Sequence, residues 1–152
     1  MRSPMHGGVV GLAAWCLALL SVPGAQERQG LDADETFSMA LTGDSIITRR
    51  LSVYKEPRFL ELVELMRGAD VAFTNIEMLF HDYETFPMSS SGGTYMRADP
   101  AIAKELAWAG IDLGSLANNH SGDYGPPAML LSERHVREAG IVAAGVGKSL
   151  AE

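Results

Sequence analysis

Three times along this chain a helical stretch meets a glycine and passes straight into a short apolar segment, and that repeat restricts the fold more than anything else in the sequence. The junctions are Arg67-Gly68-Ala69-Asp70-Val71, Ala109-Gly110-Ile111 and Ala139-Gly140-Ile141. A glycine just past a helix takes the left-handed cap conformation without a Cβ penalty, so the chain can turn at once into a buried strand. Each junction has a helix signature upstream. Pro57 to Arg67 carries Phe59, Leu62, Val63 and Met66 on one face at helical spacing. Asp99-Pro100 offers an N-cap and a first-turn proline for a helix running to Ala109, and Gly125-Pro126 opens a third. The segments Phe37 to Leu41, Val71 to Thr74, Ile111 to Ala117 and Ile141 to Ala144 read as strands. Strands alternating with helices predict an α/β fold with a largely parallel sheet. Between the second strand and second helix lies a long polar excursion, with Ser89-Ser90-Ser91-Gly92-Gly93 as its flexible tip.

The first 25 residues follow different rules. Arg2 and His6 sit in a short polar start, Gly7 to Leu20 is an apolar run, and Ser21-Val22-Pro23-Gly24-Ala25 supplies small residues before polar Gln26-Glu27-Arg28-Gln29. That order suits an export signal, and the run is short for a membrane span. Cleavage fits after Gly24 or after Ala25, and the competing reading keeps the segment as an uncleaved anchor. Residues 1–25 are therefore read as a signal peptide, 26–36 as a linker and 37–152 as one incomplete domain. The expected location is periplasmic, extracellular or envelope-associated. Cys16, the single cysteine, falls inside the signal, so the exported chain would have no disulfide, thiolate zinc site or cysteine nucleophile. Beyond Gly24 the chain holds 11 basic and 19 acidic residues. Such a balance argues against nucleic acid as a partner, because binding phosphates nonspecifically takes a basic surface.

Parallel strands joined by helices bring their carboxyl ends to one rim, where ligands of open α/β sheets bind. The residues following the strands are Asp44 after the first, Asn75-Ile76-Glu77 after the second, and Asn118-Asn119-His120 with Asp123 after the third. These are oxygen and nitrogen donors without sulfur, a set suited to Mg, Mn, Fe or Zn. Two such cations close together would hold a phosphoryl oxygen and generate hydroxide. Each residue also has an ordinary reading: Gly43-Asp44 as a capped turn, Asn118-Asn119 as left-handed backbone, Glu77 as a solvated loop acid.

Two patterns invite other readings. Gly145-Val146-Gly147-Lys148-Ser149 follows a strand like the end of a phosphate-binding loop, but the glycine required five positions before Gly147 is Val142. His81 and His135 lack partners at ligand spacing and read as a loop residue and a helix-surface residue.

Leu41-Thr42-Gly43-Asp44 with Arg49, Ala69-Asp70-Val71-Ala72-Phe73-Thr74-Asn75-Ile76-Glu77, and above all Ala117-Asn118-Asn119-His120-Ser121-Gly122-Asp123-Tyr124-Gly125 resemble the opening motifs of the capsule-synthesis CapA family. The stretches Asp99-Pro100 through Gly110-Ile111-Asp112 and Ala139-Gly140-Ile141 to Gly145-Val146-Gly147 extend the likeness across residues 37 to 152. The resemblance implies the N-terminal part of a calcineurin-like, metallophosphoesterase-type β-sandwich flanked by helices. It also implies a role in poly-γ-glutamate or capsule polymer production at the cell envelope. Carried over by motif, Asp44 and Asn119 are metal ligands, Glu77 a bridging acid and His120 the catalytic imidazole. Arg49, Asn75, Asn118 and Asp123 are supporting positions around them. The implied cofactors are one or two divalent cations. The implied partners are an envelope polymer or a phosphorylated small molecule, with a membrane synthesis complex. The sequence departs from the superfamily pattern at Ile46, where a histidine is usual, and it lacks the further histidines of the C-terminal half. A non-catalytic polymer-binding or assembly subunit is the alternative.

Overall fold

The computed structural model describes residues 36–149, so the signal segment and the linker up to residue 35 fall outside the described residues. In chain order the elements are β1 (Met39–Asp44), α1 (Pro57–Arg67), β2 (Val71–Asn75), β3 (Leu79–Phe80), β4 (Arg97–Ala98), α2 (Ile102–Trp108), β5 (Leu113–Ser115), α3 (Gly125–Glu138) and β6 (Val142–Ala144). β1, β2, β5 and β6 form one sheet in that spatial order, and every neighbouring pair is parallel. β3 and β4 pair separately, also in parallel. This is the α/β fold with alternating helices that the glycine junctions predict. No helix among the described residues is long and apolar enough to cross a membrane.

Spatial order equal to sequence order has a direct consequence for the two faces. Parallel crossovers are right-handed almost without exception, so a sheet that always grows in one direction receives its helices on one face. Small side chains line the covered face: Ala72 and Ala143 are buried, Ala40 packs against the core, and a Cβ on Gly114 would come within 2.4 Å of Ile76. The core proper comes from what lies over them, including Ile76, Phe80, Ile102, Leu106, Ile111, Val136 and Ile141. Large apolar residues occupy the opposite face. Leu41, Phe73, Leu113 and Val142 are register partners across all four strands, and Leu41 and Val142 are 71% and 62% exposed.

Two of the three glycine junctions behave as expected. At Gly110 (φ 98°) and Gly140 (φ 93°) the chain is left-handed. Ile111 N–H donates to Leu106 O and Ile141 N–H to Val136 O, which closes the paired bonds of a Schellman cap. Gly68 differs. It stays right-handed (φ −82°, ψ −11°), and its N–H continues the helical bonding to Glu64 O. Arg67 explains the need for glycine at 110: its guanidinium lies over the Trp108 ring and donates to Trp108 O, so a Cβ on Gly110 would approach Arg67 Cγ to 2.8 Å.

Other boundaries also shift. α2 proper begins at Ile102, two residues after Pro100, because the first turn is closed by bonds from the N–H groups of Ile102, Ala103 and Lys104 to carbonyls three residues back. Asp99 caps that turn as expected, its Oδ1 accepting from Ala101 N–H. On α1, Val63 is fully buried and Met66 packs against the core, but Leu62, read as part of the same face, is 53% exposed. Gly145 (φ 106°) is explained by packing: a Cβ there would lie 2.7 Å from Ala117.

Candidate functional site

β1 and β2 end side by side. Asp44 is the register partner of Asn75, and Asn75 is in turn the partner of Ser115 at the end of β5, so the rim is built by strand pairing before any side chain contributes. Backbone and hydroxyl bonds seal it underneath. Ser45 N–H donates to Asn75 O, Thr74 Oγ1 donates to Gly43 O, and the Ser45 and Thr74 hydroxyls meet at 2.5 Å.

On this base the side chains form a connected series. The Asn75 amide donates from Nδ2 to Asp44 Oδ1 (2.8 Å) and to Glu77 Oε2 (2.5 Å). The other Glu77 oxygen, Oε1, lies 3.8 Å from His120 Nε2. His120 Nδ1 then meets Asp123 Oδ2 at 2.8 Å. Glu77, His120 and Asp123 are buried, and Asp44 is exposed at the outer end. Asn118 locks the two loops together: its Nδ2 donates to Ile76 O, and its Oδ1 accepts from His120 N–H.

Asp123 holds the innermost position. Burial alone would raise its pKa, but the N–H groups of Gly92 (3.0 Å) and Met96 (2.8 Å), with the His120 ring, outweigh burial and bring it below the ordinary aspartate value. Asp123 therefore does two things: it fixes the His120 ring through Nδ1, and it pins the segment after β3 onto the site. That segment, read as a flexible tip, is anchored at several points. Asn119 Nδ2 donates to Gly92 O, Met88 N–H donates to Asp123 O, and a Cβ on Gly92 would fall 2.1 Å from Asn119 O.

The rim thus brings together Asp44, Asn75, Glu77, Asn118, His120 and Asp123. Asn119 turns outward to Gly92, and its neighbour Asn118 faces the rim. Arg49 is exposed, with no hydrogen bond or ion pair to another described residue. Ile46, at the position where the resemblance calls for histidine, is 53% exposed. Among the described residues no three His, Cys, Asp or Glu side chains stand close enough to hold a metal ion. The donor chemistry is nevertheless hard: two carboxylates on one amide, with an imidazole beside them.

Sequence reading missed Gly92, Met96 and the β3–β4 pair. Only glycine permits the approach to Asn119, but a Ser-Gly run carries the same signature as a loose tip. His81 lies in the loop just after β3, as read, but is fully buried there, edge-on to Tyr124, with its Nε2 unpartnered among the described residues. His135 is half-buried on α3, 3.5 Å from Glu138.

The structure is thus an α/β domain with a parallel sheet and with acids, amides and an imidazole gathered on its carboxyl rim. The family model for the bacterial capsule synthesis protein PGA_cap matches residues 38–152, and the chain belongs to that family. Two Sinorhizobium fredii (strain NBRC 101917 / NGR234) proteins, y4sH and y4uA, are each 41% identical over 119 residues, 76% of this chain. The matched stretch covers 26% of each relative, so this chain corresponds to about a quarter of their length.

Proposed function

We propose that the protein serves bacterial capsule or poly-γ-glutamate synthesis outside the cytoplasm, as a phosphoesterase-like domain that uses a divalent cation. The observation that carries this reading is the series Asp44–Asn75–Glu77–His120–Asp123, drawn from three strand ends onto one rim. A cation held there would polarise a phosphoryl oxygen and acidify a bound water. The chain's own residues supply the rest. Asp44 and Glu77 provide anionic oxygens, and Asp123 fixes His120 through Nδ1. His120 Nε2 is left toward the rim, where it can pass a proton to a leaving oxygen. The substrate would be a phosphorylated small molecule or an envelope polymer, handled within a membrane synthesis complex.

Two observations favour the alternative, a polymer-binding or assembly subunit without turnover: Ile46 in place of histidine, and the Asn75 amide between the carboxylates. Hydrolysis of p-nitrophenyl phosphate with and without Mn²⁺, compared among the native chain, Glu77→Gln and His120→Ala, separates the two. Cation-dependent turnover lost in both variants supports the enzyme. Binding of Mn²⁺ without turnover by the native chain, toward this and other phosphoesters, favours the subunit. Calorimetry adds a second check: Glu77→Gln is expected to weaken Mn²⁺ binding more than His120→Ala, because the carboxylate neutralises the ion and the imidazole acts on substrate.

A further inference from the structure

Glu77 is a largely buried carboxylate with a single side-chain hydrogen bond among the described residues. Its side chain is 8% exposed, its Oε2 accepts from Asn75, and its Oε1 makes no hydrogen bond to another described residue, with His120 Nε2 3.8 Å away. A buried carboxylate with one neutral donor is costly unless a positive charge faces it. The group now facing it is the Asn75 amide nitrogen, which carries only partial positive charge and is shared with Asp44.

We infer that Asn75 is both the stand-in for a divalent cation between Asp44 and Glu77 and a ligand to it, its amide turning so that Oδ1 replaces Nδ2 toward the carboxylates. The inference rests on the cation reading above and assigns Asn75 a role of its own. The surroundings specify which amide can turn. Asn118 is fixed from both ends, donating to Ile76 O at 2.9 Å and accepting from His120 N–H at 3.0 Å. Among the described residues Asn75 Oδ1 is held only by Asn118 Nδ2, at 3.4 Å. Turning Asn75 gives up its two Nδ2 bonds to Asp44 and Glu77, whose oxygens a cation would then satisfy, and one long bond to Asn118. Turning Asn118 would break two good bonds that no cation replaces. With Oδ1 inward, the rim presents three oxygens to one hard cation, Asn75 supplying the third beside those of Asp44 and Glu77.

Replacement by aspartate separates this role from a structural one. In Asn75→Asp three carboxylates converge, so the cation-free chain should melt at lower temperature while Mn²⁺ affinity rises by about tenfold or more. In Asn75→Ala the cation-free chain should also melt lower, and Mn²⁺ affinity should fall by about tenfold. Melting temperature and calorimetric affinity are measured on the full 152-residue chain, with saturating Mn²⁺ expected to recover the melting temperature of Asn75→Asp. If Asn75→Asp fails to fold without cation, recovery of a folded chain on adding Mn²⁺ supports the inference, and Asn75→Ala carries the affinity arm. Native binding that neither substitution alters overturns the role of Asn75 and leaves the cation reading standing. Absence of Mn²⁺ binding by the native chain overturns both.

Discussion

Asp123 is a buried carboxylate whose three bonds hold a ring and a loop at once, so its replacement should be felt in both. In Asp123→Asn one of the oxygens facing Gly92, Met96 and His120 becomes an N–H donor, leaving a buried donor opposed to another. The expected cost is about 3 kcal/mol, read from urea unfolding. Its lowered pKa also fixes a pH dependence. A depressed carboxylate adds stability that is fully present above the unfolded value near 3.9 and is lost as pH falls toward the lower folded value. His81 acts on a different window. Burial first, and the Arg97 charge second, lower its pKa, so the fold favours the neutral ring. Stability should fall as pH drops below about 6.5, the unfolded value. Urea midpoints between pH 8 and 3 should show both losses, with His81→Leu flattening the upper one and Asp123→Asn the lower.

At the scale of elements, the two left-handed glycines allow a controlled comparison. A Cβ at Gly140 would meet no atom within 4 Å, so Gly140→Ala bears backbone strain alone, about 1–2 kcal/mol. Gly110 adds the Arg67 stem at 2.8 Å, and Gly110→Ala should be the costlier change by thermal denaturation. The elements themselves were largely legible in sequence because punctuation is local: Pro57, Gly110, Gly125-Pro126 and Gly140 act through their own backbone geometry. The failures came where tertiary packing decides. Gly68 could remain right-handed because the chain enters β2 a few residues later, a choice nothing in its local sequence reveals. The partners of Gly92 and Met96 lie in residues 119–123, about 30 positions away, and β3–β4 is a pair of two-residue strands with no periodicity to detect. The rim was legible as a set because the strand-end rule needs only topology. Which asparagine faces inward was not, since Asn118 and Asn119 are chemically identical and only the loop's course separates them.

For the molecule as a whole, the open face of the sheet is the dominant liability. All-parallel sheets are ordinarily covered on both faces, and here Leu41, Phe73, Leu113 and Val142 form a continuous apolar row on the less protected one. The isolated chain should bind a hydrophobic dye and self-associate as its concentration rises. Leu41→Lys with Val142→Lys should suppress both while leaving the far-ultraviolet circular dichroism unchanged, because neither side chain supports the core. Sedimentation velocity across a concentration series checks this.

The order β1-β2-β5-β6 also bears on how such a chain can be made. No strand must wait for a distant one to insert beside it, since each new strand joins an edge formed by residues already synthesised. On a ribosome emitting the chain from its N-terminus, the sheet can grow by successive docking of helix–strand pairs. The ligand-bearing loops would then be delivered to the rim in the same sequence: Asp44 first, then Asn75 and Glu77, and last Asn118, His120 and Asp123.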